Sequence, residues 1–160
     1  MIRNYCSGDI RKLTEIYNWY VLNSTATFDT EPITDAGMCD KIESILLKFP
    51  CLVFEEKGIV IGYAFAHLWK AKPAYSKTLE TTIYIDHNHL RQGIGRKLME
   101  ELIFSCRQLE YRALIACITQ DNNGSIRLHE ALGFRKVSHF EKVGEKFGLQ
   151  LNVEDFELFL

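Results

Sequence analysis

The residues best placed for chemistry lie in the stretch Arg91-Gln92-Gly93-Ile94-Gly95-Arg96-Lys97-Leu98, directly after a β-rich run and directly before a long helical pattern. Glycines at 93 and 95 let the backbone approach a ligand closely and adopt conformations that a side chain would block. The amides of Gln92 through Arg96 then point inward as a nest at the positive end of the helix dipole, which suits a pyrophosphate. Arg91, Arg96 and Lys97 add positive charge around it. An NTPase P-loop needs a wider glycine spacing followed by Lys-Ser/Thr, which is absent. The dinucleotide fingerprint needs a third glycine where Leu98 stands. Two readings remain: a coenzyme A pyrophosphate loop, or a plain strand-to-helix turn with helpful glycines.

Other chemistry-bearing residues are less organised. The cysteines Cys6, Cys39, Cys51, Cys106 and Cys117 are odd in number and lack metal-ligand spacing. Cys51, Cys106 and Cys117 fall in apolar runs and are expected to be small core residues. His67, His87, His89 and His139 show no ligand spacing and read as surface or loop residues, so no metal site is expected.

The elements that must position the loop follow from periodicity. Ile10, Leu13, Ile16, Tyr17 and Tyr20 recur at helical spacing, with Asp9 or Ser7 as the cap. Thr34 opens a second helix through Met38, Ile42, Ile45 and Leu46, ending before Pro50. Two strands, CLVFEE and IVIGYAFAHLW, are joined by Lys57-Gly58, a hairpin signal. TLETTIYI is a strand, IGRKLMEELIFSCRQLE a helix, ALIACI a buried strand, and SIRLHEAL a helix ended by Gly133. Two terminal strands are expected near RKVSHFEKVG and LNVEDFELFL. The pattern is α+β, one domain over residues 1–160, with a strand–helix–strand unit at 79–118 as the natural seat of chemistry.

Composition excludes several classes. The 160 residues are 47% hydrophobic and 25% charged, ordinary for a globular protein. A net charge of −2, with 19 basic and 21 acidic residues interspersed, builds no basic face for nucleic acid. No apolar run approaches the ~18 residues of a membrane helix, and no signal-peptide core is present, so a cytoplasmic protein is expected.

The loop's glycines match the central motif of the GCN5-related N-acetyltransferase (GNAT) superfamily, Gln/Arg-x-x-Gly-x-Gly/Ala, with Leu90 where Gln or Arg is usual. IYNWYVLNSTATFDTEP, WKAKPAYSKTLETTIYI and NNGSIRLHEALGF further resemble the phosphinothricin acetyltransferase group. The resemblance implies a mixed, mostly antiparallel sheet flanked by helices, with a V-shaped split between its two central strands. Acetyl-CoA would lie in the split, its pantetheine paired to the backbone of Ile83, Tyr84 and Ile85 and its pyrophosphate held by residues 91–96. Asn122 and Ser125 would contact the cofactor; as residues alone they read equally well as a helix N-cap.

An amine attacking a thioester must first lose a proton. The resemblance makes Glu80 the base, and apolar neighbours would raise its pKa; the alternative is a rim glutamate paired with Lys77 or Lys72. His129 stands where many members carry a tyrosine, and would protonate the leaving thiolate or else serve helix packing. A backbone amide near Ile83 would polarise the carbonyl. The acceptor pocket would use Phe28, Lys72, Ala74 and Tyr75, with Ser24 and Thr25 nearby. Lys72 stands where the family has arginine, keeping charge without bidentate geometry. In the family's Gly-x-Lys-x-Gly-x-Trp-x-Asp-Val stretch, Gly144, Lys146, Gly148 and Val153 agree, while Gln150 and Asn152 replace the tryptophan and aspartate. The implied acceptor is a small amino acid or analogue; a polyamine, an aminoglycoside, or a silent acyl-CoA sensor are the alternatives. A homodimer through the terminal strands is also implied.

Overall fold

A computed structural model describes residues 1–160. Eight strands form one sheet: β1 (Ile2–Asn4), β2 (Cys51–Glu56), β3 (Ile59–Leu68), β4 (Thr78–Ile85), β5 (Ala113–Thr119), β6 (Arg135–Lys136), β7 (Phe140–Lys146) and β8 (Leu149–Phe159). Their order is β1-β2-β3-β4-β5-β8, with β6 and β7 both paired to β8. Only β4 and β5 run parallel. The helix α3 (Ile94–Gln108) connects them, as a parallel pair requires.

Helices cover both faces. On one, Leu98, Met99, Leu102 and Cys106 of α3 pack with Leu52, Ile61, Leu79, Leu114 and Phe156. On the other, α1 (Ile10–Asn23) and α2 (Asp35–Leu46) set Leu13, Ile16, Met38 and Ile42 against Val53, Tyr63 and Phe65. A short fourth helix, α4 (Asn123–Ala131), follows β5. The α+β pattern expected from periodicity, and the mixed sheet flanked by helices that the resemblance implies, are the architecture observed.

Local signals largely hold. Lys57 and Gly58 both have positive φ (51° and 80°), the primed turn whose twist suits a hairpin. Thr34 caps α2, its Oγ1 accepting the Gly37 amide at 3.1 Å. At α1 neither Ser7 nor Asp9 caps with its side chain. Instead Asp9 accepts the Cys6 amide at 2.8 Å and receives both terminal nitrogens of Arg3, at 2.7 and 2.8 Å. The ion pair competes for the carboxylate, and a 3-10 turn (Ser7–Asp9) leads into the helix.

Two expectations change. The run near RKVSHFEKVG is not one strand: β6 ends at Lys136, and the Val137 amide bonds the Asp155 carbonyl while Ser138 Oγ accepts the Asp155 amide. Cys117 is exposed while Cys51 and Cys106 are buried. Strand alternation is the reason, since Ala116 and Ile118 fill the core and turn residue 117 to the opposite face. His67 lies within the expected strand β3 with 36% of its side chain exposed, so its surface reading stands.

The central strands part as expected. β4 and β5 pair at Thr78–Ala113, Leu79–Leu114 and Glu80–Ile115, and then diverge. Beyond Glu80, β4 stays paired with β3 as far as Ile85, so its opposite edge has no strand partner.

Candidate active site

A cavity of about 820 Å³ opens where β4 and β5 separate. Its walls are β4 from Glu80 to Ile85, β5 from Ala116 to Thr119, the loop after α1, the glycine loop and the start of α4.

The glycine loop has the conformation its composition suggested. Arg91 and Gly93 both adopt left-handed backbone, with φ of 61° and 77°. For a non-glycine residue this costs about 1–2 kcal/mol, so Arg91 holds local strain beside the cavity. The Lys97 amide bonds the Gly93 carbonyl at 3.2 Å. The amides of Ile94, Gly95 and Arg96 precede that bond and have no acceptor within the helix. Gly95 is closely approached by α4: a Cβ there would lie 3.3 Å from Leu128 Cδ2, so that side chain would have to shift by a few tenths of an ångström. Arg91, Gly93, Ile94, Gly95 and Arg96 line the cavity, whereas Gln92 does not. Arg96 is steadied by Glu100 at 2.8 Å.

Ile83, Tyr84 and Ile85 line the same wall along the unpaired edge of β4. At the start of α4, Asn122 Oδ1 accepts the Ser125 amide at 3.2 Å, so the N-cap reading is realised, and both residues also face the cavity.

Glu80 is the last paired residue before the strands part, and it lines the cavity. Burial raises its carboxyl pKa above the ordinary value and Asp155 adds to this, while His67 opposes it. Its nearest basic partner is His67, with Nε2 at 4.0 Å, not Lys72 or Lys77. His129 is buried, edge-on to Phe134 at 4.9 Å between centroids. Its Nδ1 lies 2.8 Å from the Ser125 carbonyl, which can only accept. The hydrogen therefore sits on Nδ1, and Nε2 of the neutral ring carries a lone pair. Burial lowers the His129 pKa, favouring this neutral form. Proton donation from Nε2 would first require charging a ring that its surroundings keep neutral.

The expected acceptor residues are not all brought together. Phe28 lines the cavity, and its ring lies over the Gly144 backbone. Lys72, Ala74 and Tyr75 belong to a turn off the cavity wall, where Tyr75 packs edge-on to Trp69 at 5.3 Å and Lys70 lies over both rings. Sequence reasoning gave no role to Lys146. It is buried, and its Nζ donates to the carbonyls of Ser24 (2.7 Å), Thr27 (2.8 Å) and Tyr20 (3.5 Å). Thr119 Oγ1 also donates to the Thr25 carbonyl at 2.7 Å. Together these bonds fix the 24–28 loop as a cavity wall. Only the match of Lys146 to a family motif hinted at this, because a lysine in a charged strand ordinarily reads as solvated.

Residues 13–134 match the acetyltransferase (GNAT) family. The chain is 37% identical to a phosphinothricin N-acetyltransferase of Streptomyces viridochromogenes, over 98% of this chain and 88% of the other. It is 36% identical to an L-methionine sulfoximine/L-methionine sulfone acetyltransferase of Salmonella typhimurium, over 98% and 92%. A crystal structure of a phosphinothricin acetyltransferase from Sinorhizobium meliloti in complex with acetyl-CoA superposes with a TM-score of 0.97 at 34% identity, covering 100% of this chain and 88% of that one. With its split sheet and matching sequence, the chain belongs to the GNAT family and is an N-acetyltransferase.

Proposed function

We propose that residues 1–160 act as one catalytic domain that transfers acetyl from acetyl-CoA to the amine of a small amino acid or analogue, of the phosphinothricin or methionine sulfoximine type, with Glu80 as general base. The observation that carries this is Glu80 at the apex of the split, in one cavity with the glycine loop. The names of the relatives support the acceptor class.

The residues present fit acetyl-CoA. The unpaired edge of β4 offers backbone groups to pantetheine amides, and the acceptor-free amides of Ile94, Gly95 and Arg96 suit a pyrophosphate. Arg91 and Arg96 contribute charge there, and Asn122 and Ser125 contribute polar contacts from α4. When bound, acetyl-CoA supplies a thioester carbonyl open to attack by an amine. Glu80 takes the proton that frees the amine, a β4 amide near Ile83 polarises the carbonyl, and as the C–N bond forms and the C–S bond breaks the second amine proton neutralises the departing CoA thiolate. Phe28 bounds the acceptor. His129 stays neutral and orders the turn at Ser125.

Gly93→Ala is expected to weaken acetyl-CoA binding by roughly fivefold while leaving the acceptor KM unchanged, because alanine resists the left-handed backbone at about 1 kcal/mol. Titration calorimetry with acetyl-CoA reads this directly.

One observation favours a cationic acceptor instead. Glu80 and Asp155 interact, Lys72 is off the wall, and the only Lys or Arg residues lining the cavity are Arg91 and Arg96 of the glycine loop. Release of free CoA with phosphinothricin, methionine sulfoximine, ordinary amino acids, spermidine and an aminoglycoside separates the readings. Higher kcat/KM for the amino-acid analogues supports the first, and higher kcat/KM for spermidine or the aminoglycoside supports the second.

We also propose a homodimer through β7 and β8, where Val143, Phe147 and Leu149 are more than half exposed (58%, 57% and 55%). Light scattering should read twice the 18.5 kDa chain mass. Five free thiols suit a reducing cytoplasm. No helix is long and apolar enough to cross a membrane.

A further inference from the structure

We infer that His67 is the outlet for the proton that Glu80 removes, forming a two-residue relay from the cavity to water. The inference rests on Glu80 as the base.

His67 and Glu80 are register partners on the antiparallel strands β3 and β4, so their side chains emerge side by side on one face of the sheet. Nε2 lies 4.0 Å from Glu80 Oε1, a gap that a modest rotation or one water closes. Glu80 faces the cavity, whereas His67 is absent from its wall and keeps 36% of its side chain exposed. One partner is therefore turned to substrate and the other to solvent.

The hydrogen-bond pattern fixes the direction of transfer. His67 Nδ1 lies 3.0 Å from the Leu68 carbonyl. A carbonyl oxygen only accepts, so Nδ1 holds the hydrogen and the neutral ring turns the Nε2 lone pair towards Glu80. The proton passes from the acceptor ammonium to the Glu80 carboxylate, then from the carboxyl to Nε2. The imidazolium releases it from Nε2 to buffer, which restores both residues.

The other groups around Glu80 cannot take that role. Asp155, on β8, is a second carboxylate whose charge holds the proton on Glu80 and so calls for an outlet. Cys117, on β5, is exposed to the same space, but desolvation by the cavity walls and then the charges of Asp155 and Glu80 push its thiol up to about 12, so it keeps its own proton. His67, with its hydrogen on Nδ1, places a ring nitrogen beside the pair to accept the Glu80 proton.

The test compares wild type, His67→Asn, Glu80→Gln and the double variant by CoA release, with phosphinothricin or, should the panel select it, spermidine. Asparagine retains a donor for the Leu68 carbonyl but cannot relay a proton, and a thermal melt checks the fold. In dilute buffer His67→Asn is expected to lower kcat about tenfold at unchanged acetyl-CoA KM, and added imidazole to restore most of it. The double variant should be no slower than Glu80→Gln alone. Wild-type kcat for His67→Asn in dilute buffer, or a loss that imidazole does not restore, overturns the relay. If that occurs while Glu80→Gln is slow, the base assignment survives. Full activity of Glu80→Gln, or no turnover by wild type with either amine, overturns the reading beneath it as well.

Discussion

Glu80→Gln is expected to lower kcat by at least about a hundredfold while leaving acetyl-CoA affinity unchanged, since positioned proton transfer is worth roughly 10²–10⁴ in rate. The substitution keeps side-chain volume at the apex of the split and removes only the capacity to accept a proton. A glutamate that merely decorated the rim would show far less, because a partly exposed polar contact such as that with His67 contributes at most about 1 kcal/mol. The pH profile carries a second signature. The base works only when ionised, so activity is present above the Glu80 pKa and falls as pH drops through it. Burial, reinforced by Asp155, raises that pKa, and the acidic limb of kcat/KM should therefore lie above the ordinary carboxylate range. In Glu80→Gln that limb should disappear.

The second large effect is expected at Lys146, well away from the glycine loop. Lys146→Met retains the aliphatic stem but removes the ammonium that joins the Ser24, Thr27 and Tyr20 carbonyls. Hydrogen bonds to a charged group are worth about 1.5–3 kcal/mol, and carbonyls left buried without partners add to the loss. A destabilisation of about 3 kcal/mol should lower Tm by roughly 6–12 °C for a chain of this length. Because the same bonds hold the loop bearing Phe28, the acceptor KM should rise severalfold with little change in acetyl-CoA KM. Calorimetric melting and steady-state kinetics read the two effects separately. A lower Tm with an unchanged acceptor KM would assign Lys146 to stability alone.

The two effects differ in how visible their causes are in the sequence. The helix and strand periods, the Lys57-Gly58 turn and the Thr34 cap are local, and each appears as expected because neighbouring residues determine it. The glycine loop is legible for the same reason: the left-handed backbone at Gly93 is a demand that glycine meets most readily. What escaped depends on partners distant in the chain. Lys146 is buried because three carbonyls more than a hundred residues away converge on it. Asp9 is the local exception, forgoing the α1 cap while it binds Arg3 only six residues away. Cys117 sits in an apolar run, yet strand alternation turns it outward where the sheet has opened. The single strand expected near RKVSHFEKVG is split into β6 and the start of β7, with Val137 and Ser138 between them bonded to the Asp155 backbone. Lys72 and Tyr75 match a family motif, but the turn that carries them lies off the cavity wall.

The central claim, acetyl transfer to a small amino-acid amine in the cavity between β4 and β5, is tested most directly by following both products of one reaction. Purified protein is incubated with acetyl-CoA and phosphinothricin; free thiol is titrated, and the amine product is identified by mass spectrometry. Equimolar CoA and N-acetylphosphinothricin, formed by wild type and sharply reduced in Glu80→Gln, is the predicted result. Release of CoA without acetylated amine, or equal product from both proteins, would contradict it.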